Sequence, residues 1–597
     1  MCGIAGIWSD RGEDNLEFEV AAMNRALVHR GPDGQGIWHS ITGNVCLGHT
    51  RLSIIDLSDH GKQPMTLLDR YAMTYNGEVY NYIELRAELA KKGYIFKTET
   101  DTEVLLTAYH EYGPACLEKL DGMFAFVIYD ELNNELFGAR DRFGEKPLFY
   151  HTGKDRLVFA SEMKALWRAG VEAIRTEKML YNYLALDLVE NPFDQSETFF
   201  SGIKKIKPAH YFFYRNNTLT EYPYWKIDIE QSLHLDQHEL TLQWRNLMCQ
   251  SVKRRLRADV QIGVSLSGGI DSSSIVALIQ KLGSNTRTYS ARFQDFSNDE
   301  GSYIELVCKS FGTQHTNVFV NETNLLRDLE KLVYFQEEPF QTGSIYAQYC
   351  VYEAARSEGT LVMLDGQGAD EYLCGYEKDF SWYLKELLFD RVASKRFVQA
   401  IKQNHDLDIS FSSRDVLSRL MPGLVRSVAA LKRSLVPYPE PGIGRDFNRT
   451  YGRAASPFAI FSGLKEALRY QLSQQGLEKL LRFADRNSMA HSVEVRLPYL
   501  CHEMVAFAMS LHVRYLLSGG WSKAILRNAM QGWLPDEIVW RRRKIGFEVP
   551  QEQWMKHPAA GELYHTSKEA LIARGYVTPQ YLDSWKVINA AMFLGDI

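Results

Sequence analysis

The chain has 597 residues, 45% of them hydrophobic and 24% charged, with a net charge of −6 at pH 7. That length predicts two or three domains rather than one core. The composition is that of a globular protein, the negative balance argues against a general nucleic-acid binder, and no stretch approaches the ~20 apolar residues of a membrane span. The N-terminus lacks a basic-then-apolar export signal. The eight cysteines (Cys2, Cys46, Cys116, Cys249, Cys308, Cys350, Cys374 and Cys501) are scattered without a C-x-x-C pair. This speaks against a zinc site or a disulfide framework and for a reducing cytoplasm.

The chain opens Met1-Cys2-Gly3. Removal of Met1 would give Cys2 a thiol and a free α-amine on one carbon. With a reference pKa of about 8, that amine can take the thiol proton, so nucleophile and base lie in one residue. Taken alone, Cys2 also fits an incidental cysteine near a frayed end.

Residues 1 to about 205 read as short strands with turns. MFAFVIYD (123–130) and ELFGARD (135–141) form a hairpin pattern, and RLVFASE (156–162) and HYFFYRN (210–216) look similar. Helical stretches fall at 81–92 and 102–112, which together predict layered sheets with helices outside. Four segments carry polar chemistry. HRGPDGQG (29–36) is a glycine-rich loop, and RLSIID (51–56) sets Arg51 at the start of an apolar strand. Asn76-Gly77-Glu78 follows the strand YAMTY, and Asp101 sits at a helix N-terminus. Arg51 can clamp a carboxylate through its planar fork. The Asn76 amide and the Gly77 N–H can form an oxyanion hole, and Glu78 and Asp101 can accept an ammonium. Each also has a plain structural explanation: a surface arginine, a turn at Asn76-Gly77, a helix cap at Asp101.

The pattern becomes irregular around 215–235, where we expect a linker. From 238 helices and strands alternate: helix 238–257, strand QIGVSL (261–266), helix 271–282, strand TRTYSARF (286–293), helix 300–311, strand QHTNVFV (314–320), helix 323–334 and strand TLVMLDG (360–366). Such alternation predicts a parallel α/β sheet with ligands at the carboxyl ends of its strands. Beyond 376 the chain reads as mostly helical.

GVSLSGGIDSS (263–273) follows a strand and opens a helix. It lacks the lysine of a G-x-x-x-x-G-K-[ST] loop. Still, Gly268 and Gly269 allow close backbone approach, Ser267, Ser272 and Ser273 offer hydroxyls, and the helix N-terminus favours an anion. A serine-rich helix cap is the plain alternative. Asp271 is placed to hold Mg²⁺. LDGQGADEYLCGY (364–376) brings Asp365-Gly366 near the same place and offers Asp370 as a second metal ligand. GGWSKAILRNAM (519–530) and RRRKIGF (541–547) add cations. Asp485 and Glu494 are either catalytic or form buried ion pairs with Arg486 and Arg496; we read them as ion pairs.

The first 205 residues resemble the class II glutamine amidotransferase domain. The resemblance implies Cys2 as nucleophile, Arg51, Asn76, Gly77, Glu78 and Asp101 as glutamine ligands, and Asn76 and Gly77 as the oxyanion hole. The segment S-G-G-x-D-S resembles the PP-loop ATP pyrophosphatases. That implies Leu266, Ser267, Gly268, Gly269, Asp271, Ser272, Ala291, Asp365 and Gly366 around ATP, Mg²⁺ on Asp271 and Asp370, and Lys544 as the lysine that offsets charge on the adenylate or pyrophosphate. The order of the two halves resembles the glutamine-hydrolysing asparagine synthetase family. It implies an α/β multidomain fold: an N-terminal-nucleophile hydrolase αββα sandwich over 1–215 and a doubly wound parallel-sheet domain with helical additions over 238–597. It also implies glutamine, ATP and aspartate as substrates, an internal ammonia tunnel, a homodimer, and neither nucleic acid nor membrane as partner. Two positions depart from the family pattern. Gln367 stands where an acid is usual and cannot act as a base, and Cys501 replaces an acid in Pro498-Tyr499-Leu500-Cys501. Another carboxylate, such as a uronic acid of a surface polysaccharide or a natural-product precursor, is therefore an alternative acceptor. A nucleotide-sensing or scaffold relative is the non-enzyme alternative.

Overall fold

A computed structural model describes the chain except for 11–14, 231–232, most of 412–440, 454–460, 462, 543–547 and 597. The N-terminal half holds two six-stranded sheets. The first contains β1 (Gly3–Ser9), β2 (Gly34–His39), β3 (Val45–Arg51), β8 (Phe149–Thr152), β9 (Arg156–Ala160) and β10 (Lys204–Lys205), in the order β10-β8-β9-β1-β3-β2. The second contains β4 (Met65–Leu67), β5 (Tyr71–Val79), β6 (Gly122–Asp130), β7 (Glu135–Arg140), β11 (His210–Arg215) and β12 (Thr218–Pro223), in the order β12-β11-β7-β6-β5-β4.

The side chains alternate as period-2 strands require. Ile4 and Trp8 of β1 meet Ala125, Val127 and Tyr129 of β6 in an apolar layer between the sheets. Ala5 and Ile7 face outward onto helices Leu16–Ala26 and Met163–Arg168. Phe124, Phe126 and Ile128 face outward onto helix Asp101–Tyr112. The result is an αββα sandwich. The stretch expected to be a linker from 215 opens instead with β12, which pairs with β11 from Arg215↔Thr218 to His210↔Pro223. Its alternation is weak because an edge strand buries little.

The second half holds β13 (Ile262–Ser265), β14 (Arg287–Arg292), β15 (Gln314–Phe319), β16 (Val362–Leu364) and β17 (Glu494–Arg496), in the order β15-β14-β13-β16-β17. Every pairing is parallel. Helices Ile270–Lys281, Gly301–Phe311 and Glu322–Gln336 connect the first strands, and helix Leu477–Met489 leads to β17. β17 carries three residues of mixed character, too short for a sequence pattern. One apolar cluster runs across both halves, from Met1, Leu52, Ile54 and Met123 to Val264, Leu266 and Leu364.

Candidate active sites

Cys2 immediately precedes β1 and is 8% exposed. With Met1 in place its nitrogen is an amide, which donates to Asn76 Oδ1 at 3.0 Å. The other end of that side chain, Asn76 Nδ2, is buried without a partner. Burial pushes the Cys2 thiol up; the chain's terminal ammonium, a hydrogen bond from Leu52 N–H and the charge of Arg51 act in the opposite sense. The Cys2 carbonyl accepts from Arg30 Nε at 3.1 Å.

Two expectations about local structure change here. Arg51 ends β3 rather than starting a strand, and residues 52–58 form a loop. That loop turns back on the guanidinium: Arg51 donates to the carbonyls of Ser58, at 2.7 Å, and Asp56. Asn76-Gly77-Glu78 lies inside β5 rather than after it. Gly77 is needed there, since a Cβ would stand 2.2 Å from Met123 O on β6.

Asp101 does not cap its helix. Thr100 does, accepting from Glu103 N with its side chain. The Asp101 carboxylate instead accepts from Tyr75 Oη–H at 2.8 Å and Val79 N–H at 2.9 Å. Glu78 lies 3.5 Å from Arg496 Nη2 through Oε2, and its Oε1 is buried without a partner. Burial raises the proton affinity of both acids. For Glu78 the neighbouring Asp101 and Glu494 charges add to it. Two crowded, desolvated carboxylates favour a cation between them, and a substrate ammonium has the right charge.

In the second half, β13 delivers Leu266–Gly269 to the N-terminus of helix Ile270–Lys281. Gly268 has φ +71°, and a Cβ there would meet Tyr303 Cβ at 2.7 Å. Beside this turn lies a cavity of about 340 Å³. Leu266, Ser267, Gly269, Asp271, Ser272, Ala291, Asp365, Gly366 and Asp370 all line it. Gly268 and Ser273 do not line it, and Ser273 is fully buried. The loop serines bond one another, Ser267 N–H donating to Ser272 Oγ at 3.2 Å and Gly269 N–H to Ser267 Oγ at 3.3 Å.

Asp271 and Asp370 come together over Lys523, whose Nζ bonds Asp271 and lies 2.6 Å from Asp370 Oδ1. Lys523 is 1% exposed and holds φ +54°, a left-handed conformation that a non-glycine residue adopts at a cost. The segment 519–530 is recognisable in sequence as a source of cations, but nothing local singles out Lys523. Lys544 lies outside the described residues. Arg541 lines the cavity and pairs with Glu300 at 2.7 Å.

Gln367 lines the cavity too, and its Oε1 is buried without a partner. Cys501 does not line it. Cys501 is buried in the electrostatic field of Asp121 and Arg255, away from the cavity wall. Asp485 and Glu494, the two acids in question from the sequence, are both buried and both in ion pairs. Glu494 binds Arg496 at 2.6 Å, as expected. Asp485 pairs with Arg30 at 2.9 Å, not with Arg486, which binds Glu337 at 2.7 Å and Glu162 at 2.9 Å. Arg30 and its partner are 455 positions apart, so no local pattern could announce the pair.

Residues 1–225 match the glutamine amidotransferase domain model, and residues 243–585 match the asparagine synthase model. The chain belongs to the asparagine synthase family. Among curated relatives, "Asparagine synthetase [glutamine-hydrolyzing] 1" of Bacillus subtilis (strain 168) is 31% identical over 572 residues, 93% of this chain and 88% of that one. "Asparagine synthetase [glutamine-hydrolyzing] 3" of the same organism is 30% identical over 576 residues, 91% of this chain and 86% of that one. "Amidase chry2" of Gibberella zeae is 28% identical over 661 residues, 99% of this chain and 94% of that one. As an asparagine synthase family member with both halves, this chain is an ATP-dependent, glutamine-hydrolysing ligase. No helix among the described residues is long and apolar enough to cross a membrane.

Proposed function

We propose that the enzyme amidates a carboxylic acid with ammonia taken from glutamine, and that aspartate is the first acceptor to consider. The observation that carries the two-step reading is the pair of built sites on one continuous apolar cluster. At the first site, Arg51 takes the α-carboxylate of glutamine, and Glu78 and Asp101 take its α-ammonium. Once Met1 is removed, the Cys2 amine accepts the thiol proton and sulfur attacks the side-chain carbonyl. Asn76 Nδ2 and Gly77 N–H stabilise the oxyanion. The Cys2 amine returns that proton to the leaving nitrogen, ammonia departs, and water cleaves the thioester to glutamate and the free thiol. Ammonia, small and neutral, then crosses the apolar seam around Leu52, Ile54, Met123 and Leu266.

At the second site, Ser267, Gly268, Gly269 and Ser272 surround the phosphates of ATP, with Leu266, Ala291, Asp365 and Gly366 beside the nucleotide. The acceptor carboxylate attacks the α-phosphorus, giving an acyl-adenylate and pyrophosphate. Ammonia attacks the acyl carbon, and AMP departs with the bonding electrons. The donor set fits Mg²⁺. Asp271 and Asp370 are two hard oxygen ligands on one cavity, and no group of three metal-binding side chains exists among the described residues. Magnesium typically takes one or two carboxylates and fills its shell with phosphates and water. When bound, it would neutralise phosphate charge. Lys523 holds the two carboxylates together and presents its charge beside them; Lys544 is assigned to the same role at the adenylate.

The relatives named asparagine synthetases support aspartate. The second reading, an acceptor without an ammonium, is favoured by Gln367, a neutral group where a cation partner would serve aspartate. Glu338, a candidate substitute acid, pairs with Arg482 and with Phe199 N–H and does not line the cavity. Glu371 accepts from Tyr376 Oη–H, and Tyr376 lines the cavity. An acceptor screen with ATP and glutamine, read by pyrophosphate and amide product, decides between them. Asparagine formation supports aspartate. Pyrophosphate release with other acids and none with aspartate overturns it, and no release with any acid overturns the ligase reading.

A further inference from the structure

One residue touches both sites. Arg496 ends β17 and is fully buried. Its carbonyl accepts from Asp365 N–H at 3.0 Å, and Asp365 opens the loop that lines the nucleotide cavity. Its side chain runs the other way, into the seam between the halves. Nε donates to Glu494 Oε1 at 2.6 Å, and Nη1 donates to the carbonyls of Arg255 and Arg257 at 2.8 and 2.6 Å. Those bonds fix the guanidinium and leave Nη2 without a hydrogen-bond partner, 3.5 Å from Glu78 Oε2. A charge-assisted bond of this type closes at about 2.7–2.9 Å, so a small shift of β17 makes or breaks it. Between the two sites the path is a single residue: main chain at the nucleotide loop, side chain at the glutamine site.

We propose that Arg496 is a positioning residue that couples the two sites. Nucleotide binding moves the Asp365 loop, β17 follows through its main-chain bond, and Nη2 approaches or leaves Glu78. Glu78 then meets the ammonium of glutamine either shared with Arg496 or free, and the glutaminase rate changes. The inference rests on the two-site reading above.

The test measures glutamine hydrolysis by the full chain with and without Mg²⁺ and α,β-methylene-ATP, which binds but cannot be cleaved at the α–β bridge. The unmodified enzyme should change kcat/KM for glutamine by about fivefold or more, the scale of an ordinary allosteric coupling. In Arg496→Lys and Arg496→Gln that response should vanish, while calorimetry shows the analogue still bound and hydrolysis without nucleotide persists. Analogue binding with no response in the unmodified enzyme, or a full response in both variants, overturns the coupling. Absence of analogue binding overturns the nucleotide-site reading and the coupling with it. If neither variant folds, hydrogen exchange at residues 76–79 of the unmodified enzyme decides. Altered protection on adding the analogue supports the proposal, and unchanged protection overturns it.

Discussion

Asn76 divides its two ends between structure and chemistry: Oδ1 holds the nitrogen of Cys2, and Nδ2 is left over. Asn76→Ala should therefore lower glutamine-dependent kcat by about 10²–10³, the cost of one oxyanion donor. Cys2→Ala should abolish glutamine hydrolysis outright. Both variants should keep synthesis from added ammonium, so the ratio of the two activities is the measurement. At the other site, Asp370→Asn and Lys523→Met should lower pyrophosphate release with either nitrogen source. Equal synthesis by wild type and Asp370→Asn with ammonium would remove Asp370 from the metal site. The aspartates were legible because each sits in a short motif that names its own chemistry. Lys523 was not, because its meaning comes from a partner 252 positions away.

At the scale of elements, β5 does most for the first site. It carries Tyr75, which holds Asp101, then Asn76, Gly77 and Glu78 in succession. The reading that ended this strand at YAMTY failed because Asn-Gly ordinarily signals a turn. Here Gly77 stays in the ladder opposite Phe124, where only a hydrogen fits against Met123 O. Gly77→Ala should destabilise the first half by about 1–3 kcal/mol and remove glutaminase activity while ammonium-dependent synthesis remains. Helix Leu477–Met489 presents Asp485 to Arg30, which in turn holds the Cys2 carbonyl. Removing one partner of a buried pair leaves an uncompensated charge, so Asp485→Ala should cost about 3–5 kcal/mol in denaturant unfolding. It should also raise KM for glutamine, although the residue lies in the synthetase half.

Across the whole molecule, buried titratable groups set a stability window. His49, His491 and His502 are pushed down to about 3, 4 and 4 by burial. They stay neutral when folded but protonate below about 6.5 when unfolded, so their contribution is lost as pH falls from there toward 4. Burial pushes Glu145, Glu190 and Asp379 up to about 8, 7 and 7. Unfolded, they ionise above about 4, so their contribution is lost as pH rises toward 8. The two sets oppose each other in between, and above 6.5 only the acids act. The unfolding temperature should therefore hold level near pH 5–6 and fall toward pH 8. A temperature that rises steadily from pH 6 to 8 would contradict the burial of the three acids. The alternation of helices and strands made the parallel sheet legible, and the hairpin patterns did the same for the sandwich. The seam was not legible, because Arg30 meets Asp485, Glu78 lies by Arg496 and the Met1 ammonium meets Glu494 at 2.8 Å, each pair more than four hundred positions apart. The seam also limits how far the two halves are modules. Cut after residue 225, the first half would keep every residue of the glutamine site and lose Asp485, the counter-charge that braces Arg30 against the Cys2 carbonyl. Arg30 and Glu78 would then face water where they now face protein. The excised half should be a poor glutaminase, for want of a neighbour rather than of a catalyst.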